Sequence, residues 1–262
     1  MSFTSSIKPS RGGSRMLVSL TFDVEQDCPP YLSTTRGVEE GLPKILDLLG
    51  EKGVKGTFFF TAQMAKEYPH LVKRVVEDGH ELGCHTYNHE RLDKLSKGEA
   101  ERIIEKSLQV LRNFGEVVSF RSPNLQLPSE IYAVLREKGI LVDSSKAVYK
   151  RYRGISYVGG VLEIPASVTS SVLRLPWRIQ RIIHARLREP RVYFAHPWEF
   201  VPMKGVRFDC RFNTGEKALE LLERLIDHYR RENAEFLLMR DYLKVFKPER
   251  RQEAEGVSQH PR

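Results

Sequence analysis

The sequence predicts an α/β domain, a parallel sheet or barrel flanked by helices. Short apolar runs rich in β-formers alternate with longer stretches of helical period. Gly53, Gly79 and Gly139 each stand just past a helical run, where a left-handed residue ends a helix. The length of 262 residues suits one large α/β domain or two small ones. In order, the expected strands are 16–23, 56–61, 81–85, 117–121, 140–143, 192–196 and 235–239. Between them 38–51, 64–78, 98–114, 129–138 and 214–231 have helical period and length. No internal repeat of fixed period is visible.

With 40% hydrophobic and 29% charged residues the composition is that of a soluble globular protein, and no apolar run approaches membrane-spanning length. Residues 1–15 are rich in Ser, Gly, Lys and Arg without an apolar block, which reads as a disordered leader and not a secretory signal. Residues 247–262 read as a polar tail, leaving 16–246 as the folded domain. Cys28, Cys84 and Cys210 stand at unrelated spacings and form neither a disulfide framework nor a zinc-finger pattern, so the expected setting is reducing and cytoplasmic.

Charge is concentrated in one place. Between residues 144 and 191 ten Lys and Arg stand against two Glu, so this basic segment carries the whole net charge of +8. It implies an anionic partner, whether phosphate, nucleic acid or lipid headgroups, or more plainly a solvated surface. Within it 175–187, entered at Pro176, reads as a helix with Arg174, Arg178, Arg181 and Arg188 in one stripe. Leu175, Ile179, Ile182, Ile183 and Leu187 fall on the opposite side. Such a segment, 173–188, either lies on the inner membrane surface or packs its apolar side on the barrel; packing is the leading expectation.

Ionisable residues gather where strands should end, the place where β/α barrels carry their chemistry. His85 and His89, four apart after a strand, suit convergence on one metal, although isolated pairs of this kind are often surface or core histidines. Asp23, Glu25 and Asp27 would share one side if the strand stays extended, and three crowded carboxylates either bind a cation or form a solvated acidic loop. Arg121, before a Ser-Pro turn, could orient a carboxylate or serve a structural salt bridge. His196, delivered by a buried strand into a Pro-Trp turn, suits acid/base work or a hydrogen-bonded core position.

Taken together these pieces resemble the polysaccharide deacetylase family and its catalytic unit, the NodB homology domain (carbohydrate esterase family 4), over about residues 16 to 246. Thr21-Phe22-Asp23 resembles the family's Thr-Phe-Asp-Asp start, and His85-Thr86-Tyr87-Asn88-His89 its His-(Ser/Thr)-x-x-His metal motif. Arg121-Ser122-Pro123 resembles its Arg-x-Pro segment, and Ala195-His196 its late histidine strand. The Asp-Val-Glu start, Asp143-Ser144-Ser145 and His196-Pro197-Trp198-Glu199 are most similar to a prokaryotic subgroup. Two positions depart from the pattern. Val24 stands where the family places its metal-binding aspartate, which makes Glu25 the substitute ligand and Asp27 the reserve. Leu125 replaces a glycine after the Arg-x-Pro segment, so the local turn should differ.

The resemblance implies a distorted (β/α)7-type barrel and a divalent ion, Zn²⁺ by ligand type, on Glu25, His85 and His89. It implies Asp23 as base, His196 as the acid that serves the departing amine, Arg121 as the partner of Asp23, and Asp143 as a partner of Arg121. A backbone N–H near Asn124 would face the developing oxyanion. The implied activity removes an N-acyl group, acetyl first, from an amino sugar. A cytoplasmic enzyme would meet a lipid- or diphosphate-linked precursor, which agrees with the basic segment; nucleic acid is not the first reading of the partner. Two other functions stay open: hydrolysis of another small amide, and a catalytically inactive carbohydrate- or nucleic-acid-binding module. Acetate release, another preferred amide, or salt-sensitive binding without turnover would separate the three.

Overall fold

The computed structural model describes residues 15–152 and 154–247. The expected leader and polar tail fall almost wholly outside these residues. The described strands are β1 (Leu17–Val24), β2 (Thr57–Phe60), β3 (Glu81–Cys84), β4 (Ser119–Phe120), β5 (Val142–Asp143), β6 (Ser156–Val158), β7 (Val161–Glu163), β8 (Arg191–Ala195) and β9 (Glu235–Phe236). The α-helices are α1 (Leu42–Glu51), α2 (Ala62–Glu67), α3 (Pro69–Glu77), α4 (Lys97–Leu111), α5 (Ile131–Glu137), α6 (Trp177–His184), α7 (Phe208–Arg211), α8 (Glu216–Arg231) and α9 (Tyr242–Val245). The strands form one sheet in the order β6-β7-β5-β4-β3-β2-β1-β8, with β9 also on β1. Every pairing is parallel except the β6–β7 hairpin.

The expected α/β barrel is present as a curled, distorted form. No strand pairing joins β6 to β8; the chain after β7 bridges that side. Ala166 N donates to Lys146 O at 2.9 Å, and Ser167 N to Val192 O at 2.8 Å. These bonds satisfy backbone groups that a missing strand would leave bare.

Strand alternation separates two faces. On β1, Val18, Leu20, Phe22 and Val24 face the helix side and pack in the large cluster with Ile45, Leu49, Val72 and Leu225. Phe58 and Phe60 join them, whereas Phe59 turns inward with Val142, Leu162, Ile164 and Val192. The intervening β1 residues form a polar rung inside the barrel. Ser19 Oγ donates to Leu237 O at 2.7 Å, Thr21 Oγ1 to Tyr193 O at 2.7 Å, and Asp23 follows at the C-terminal end.

Most expected elements occur with shifted ends. The helix expected over 64–78 is two, because Pro69 has no N–H to continue α2 and opens α3 as its first residue. The β6–β7 hairpin lies in the basic segment, where no strand was expected; its three-residue strands turn at Gly159 and Gly160, both at positive φ. Among the described residues no helix is long and apolar enough to cross a membrane.

The 175–187 segment packs part of its expected apolar side, Ile183 and Leu187, against the core, but α6 buries a polar pair that was not expected. Gln180 and His184 are fully buried, while Ile179 and Ile182 are 46% and 58% exposed. Gln180 Nε2 donates to the carbonyls of Leu173 and Leu175, and His184 bonds Gln180 and Tyr193. A hydrogen-bonded polar pair thus shares the packed side with Ile183 and Leu187. Arg174 is not in the exposed stripe; it is buried against Glu199.

Candidate metal and acid–base site

The site lies at the C-terminal ends of β1, β3, β4 and β8, in a cleft of about 520 Å³ lined by Asp23, Glu25, His85, His89, Asn124 and His196. Its loops are conformationally unusual. Cys28, Thr86, His89, Asn124 and Leu125 all have positive φ, a conformation disfavoured for residues with a Cβ.

Glu25, His85 and His89 converge, each offering a ligand atom within 4.8 Å of the others. His85 Nε2 is 3.2 Å and His89 Nε2 2.9 Å from Glu25 Oε2. His85 Nδ1–H donates to Arg121 O at 2.7 Å, which fixes the tautomer and leaves Nε2 free to ligate. Burial opposes the charge on Glu25, but His89 and His85 beside it hold the carboxylate well below its ordinary range. Two imidazoles and one ionised carboxylate fit a divalent ion such as Zn²⁺.

Asp27 does not join them. The strand ends at Val24, and Asp27 turns back to accept from Thr34 Oγ1 at 2.7 Å, Arg36 N at 3.0 Å and Gly37 N at 2.8 Å. It anchors the entry to the first helical turn, so the expected row of three carboxylates breaks after Glu25.

Asp23 pairs with Arg121 at 2.7 Å, both side chains being almost fully buried. The same guanidinium donates to Thr21 Oγ1 at 2.8 Å, Ser144 O at 3.1 Å and Ser144 Oγ at 3.0 Å. The expected Arg121–Asp143 pair is not formed. Asp143 Oδ1 accepts from Ser145 Oγ at 2.6 Å, and Asp143 lies beside Glu163, whose carboxyl burial and the Asp143 charge raise well above its usual range. Alternation along β5 directs Asp143 away from the Arg121 side and Ser144 toward it.

Opposite stands His196. Its Nδ1–H donates to Glu199 Oε1 at 2.7 Å, leaving Nε2 at 3.7 Å from Glu25 Oε1. Burial lowers its pKa, but Glu199 and Glu25 outweigh burial and raise it to about 9. Arg174 Nε donates to the other Glu199 oxygen at 2.5 Å, and Trp198 stacks on the imidazole at 4.9 Å between centroids. Sequence reasoning assigned no role to Glu199 and placed Arg174 in the basic stripe of the 175–187 helix, not beside Glu199. The signal for Glu199 was its i+3 spacing in a turn opened by Pro197; Arg174, 25 residues earlier, carried none.

Leu125, at the position where the resemblance implies a glycine, is left-handed with φ 51 beside Asn124 at φ 58. That conformation costs a residue with a Cβ about 1–2 kcal/mol. Burial of the leucine side chain against Ala147, Ala166 and Phe194 offsets the cost.

A parallel half-barrel with a two-histidine, one-carboxylate cluster at its strand ends defines an α/β domain built around a polar cleft. The chain belongs to the polysaccharide deacetylase family, whose model matches residues 11–142. It is 38% identical over 94 residues to a peptidoglycan-N-acetylglucosamine deacetylase of Bacillus cereus, covering 36% of this chain and 30% of that protein. It is 34% identical over 104 residues to a chitooligosaccharide deacetylase of Sinorhizobium fredii, covering 40% and 43%. The matches thus span less than half the length of these relatives. Among solved structures, a peptidoglycan N-acetylglucosamine deacetylase superposes with TM-score 0.59 at 21% identity, covering 87% of each chain. A CE4 family pseudoenzyme from Bacillus anthracis superposes with TM-score 0.63 at 19% identity, covering 92% of this chain and 69% of that one. These two likenesses concern the fold.

Proposed function

We propose that the protein is a metal-dependent hydrolase that removes an N-acyl group, acetyl first, from an amino sugar. One observation carries the reading: Glu25, His85 and His89 converge between an anchored carboxylate, Asp23, and an anchored imidazole, His196. The relatives named as deacetylases of peptidoglycan and chitooligosaccharide support it.

Glu25, His85 and His89 would hold the divalent ion, Zn²⁺ by ligand type, which when bound polarises the amide carbonyl. Asp23, fixed by Arg121, takes the proton from the attacking water. As the C–N bond breaks, His196 donates its Nε2 proton to the leaving amine, which is too basic to depart unassisted. Glu199 keeps His196 charged and oriented, and Arg174 holds Glu199. The products are a carboxylate and a free amine.

The finer reading is a lipid- or diphosphate-linked amino sugar met in the cytoplasm, at the inner membrane surface. The exposed arginines of α6 support an anionic substrate or surface. The test is acetate release from a panel of neutral and phosphorylated N-acetyl amino sugars, by the native chain and by Asp23→Asn. Release by the native chain alone is expected. No release from any member, with metal supplied, would contradict the reading.

A further inference from the structure

α6 presents an outward face that neither the core nor the cleft explains. Ile179 and Ile182 are about half exposed there, among the exposed Arg178, Arg181 and Arg186. The helix contains no acidic residue, and no ion pair among the described residues involves these arginines. A solvated helix would not expose two neighbouring isoleucines, and a core-facing one would not set three unpaired cations around them.

We propose that this face docks the protein on an anionic lipid surface. Isoleucines sink into the headgroup–acyl boundary, while arginine stems lie along it and carry their guanidinium groups to the phosphates. A second feature lies at the C-terminal end of the helix. A cavity of about 420 Å³ has apolar walls from Val148, Ile155 and Leu187 and is also lined by Arg186, Arg188 and Glu189. Val148 is 44% exposed at this cavity. An apolar hollow beside arginines complements an acyl chain under a phosphate. An acidic peptide would answer the arginines but leave the isoleucines and the hollow unmatched.

The position has a consequence for substrate access. Thr169, Ser170, Ser171 and Arg174 line the cleft, and α6 begins three residues later. Docking through α6 would thus hold the segment that forms one wall of the cleft within a few residues of the lipid-bound helix. The docking stands independently of the deacetylase reading.

The test is co-sedimentation of the full chain with phosphatidylcholine vesicles, neutral or containing about a quarter phosphatidylglycerol. Binding to the anionic vesicles, weakening as salt is added, is expected, with little binding to the neutral ones. Ile179→Ser with Ile182→Ser should raise the lipid concentration for half-binding roughly tenfold. Arg178→Gln with Arg181→Gln should remove most of the preference for anionic vesicles. Both double variants change exposed positions, and an unaltered thermal melt confirms their fold. Equal binding to both vesicle types, or native binding by the isoleucine variant, would overturn the proposal. So would a vesicle-free dimer that the isoleucine variant converts to monomer, since the face would then be a contact between copies.

Discussion

His196 Nδ1 lies 2.7 Å from Glu199 Oε1, three residues further along the same turn. Burial alone would keep the imidazole neutral, whereas Glu199 and Glu25 raise its pKa to about 9. The contact thus favours the protonated imidazole, as the proposed acid requires. Rate should fall at alkaline pH as the acid loses its proton, with the midpoint below that value once a divalent ion offsets the charge of Glu25. Glu199→Gln removes a negative neighbour, lowers the pKa of His196 and moves this alkaline limb to lower pH. His196→Ala should lose about a hundred- to ten-thousandfold in kcat. Profiles of kcat/KM against pH check both, and an unmoved limb in the Glu199 variant would remove His196 as the acid.

Ligand and anchor residues should separate by metal content. Glu25→Ala, His85→Ala and His89→Ala are expected to lose most of the bound ion, as read by elemental analysis after gel filtration. Asp27→Ala should keep it, because Asp27 is already committed to Thr34, Arg36 and Gly37. Its loss should instead lower stability by about 1 kcal/mol, the ordinary effect of removing a helix-capping side chain. A larger metal loss in the Asp27 variant would reverse the ligand choice.

Gly37 leaves room for the site wall. A Cβ there would collide with the Trp198 backbone nitrogen and come 2.8 Å from Asp27 Oδ1. Gly37→Ala should therefore cost about 1–3 kcal/mol by overpacking. It should also displace Trp198 beneath His196 and lower kcat with metal content unchanged. Urea melts and steady-state kinetics on one preparation test the pair of effects.

Two histidines remote from the cleft should make the fold acid-sensitive. Burial lowers both His80 and His184 to about 4. His80 Nδ1 also accepts from Gly56 N at 3.1 Å, a bond that protonation abolishes. The unfolded chain takes up these protons near pH 6.5, the native chain only near 4. Stability is therefore lost as pH falls from about 6.5 toward 4, by on the order of 2–3 kcal/mol for each residue. The difference between native and His184→Phe urea melts at pH 7 and pH 4.5 isolates one contribution. The variant should show the smaller loss, and equal losses would discard this source of acid sensitivity.

What could be read in the sequence followed from local chemistry. Alternation along β1 placed Asp23 and Glu25 on one side of the strand, and the spacing of His85 and His89 marked a candidate metal pair. Glu25 was reachable as a substitute for the position held by Val24. Long-range partners were not legible. Arg174 reaches Glu199 across 25 residues, and Arg121 chooses Ser144 over Asp143 because of the register between β4 and β5. Helical period in 175–187 marked an amphipathic helix and placed Ile183 and Leu187 against the core, but it misplaced Ile179 and Ile182. Hydrogen bonding of Gln180 and His184 to surrounding groups outweighed the burial of two isoleucines there.

The proposed mechanism makes turnover depend on an ion held by Glu25, His85 and His89. It is tested most directly by titrating Zn²⁺ into the chelator-stripped chain while acetate release from an N-acetyl amino sugar is followed in the same samples. Activity should be absent at the start, rise in step with occupancy and level off at one ion per chain, with Glu25→Ala remaining inactive over the same range. Turnover by the stripped chain at the rate of the loaded one would contradict the account.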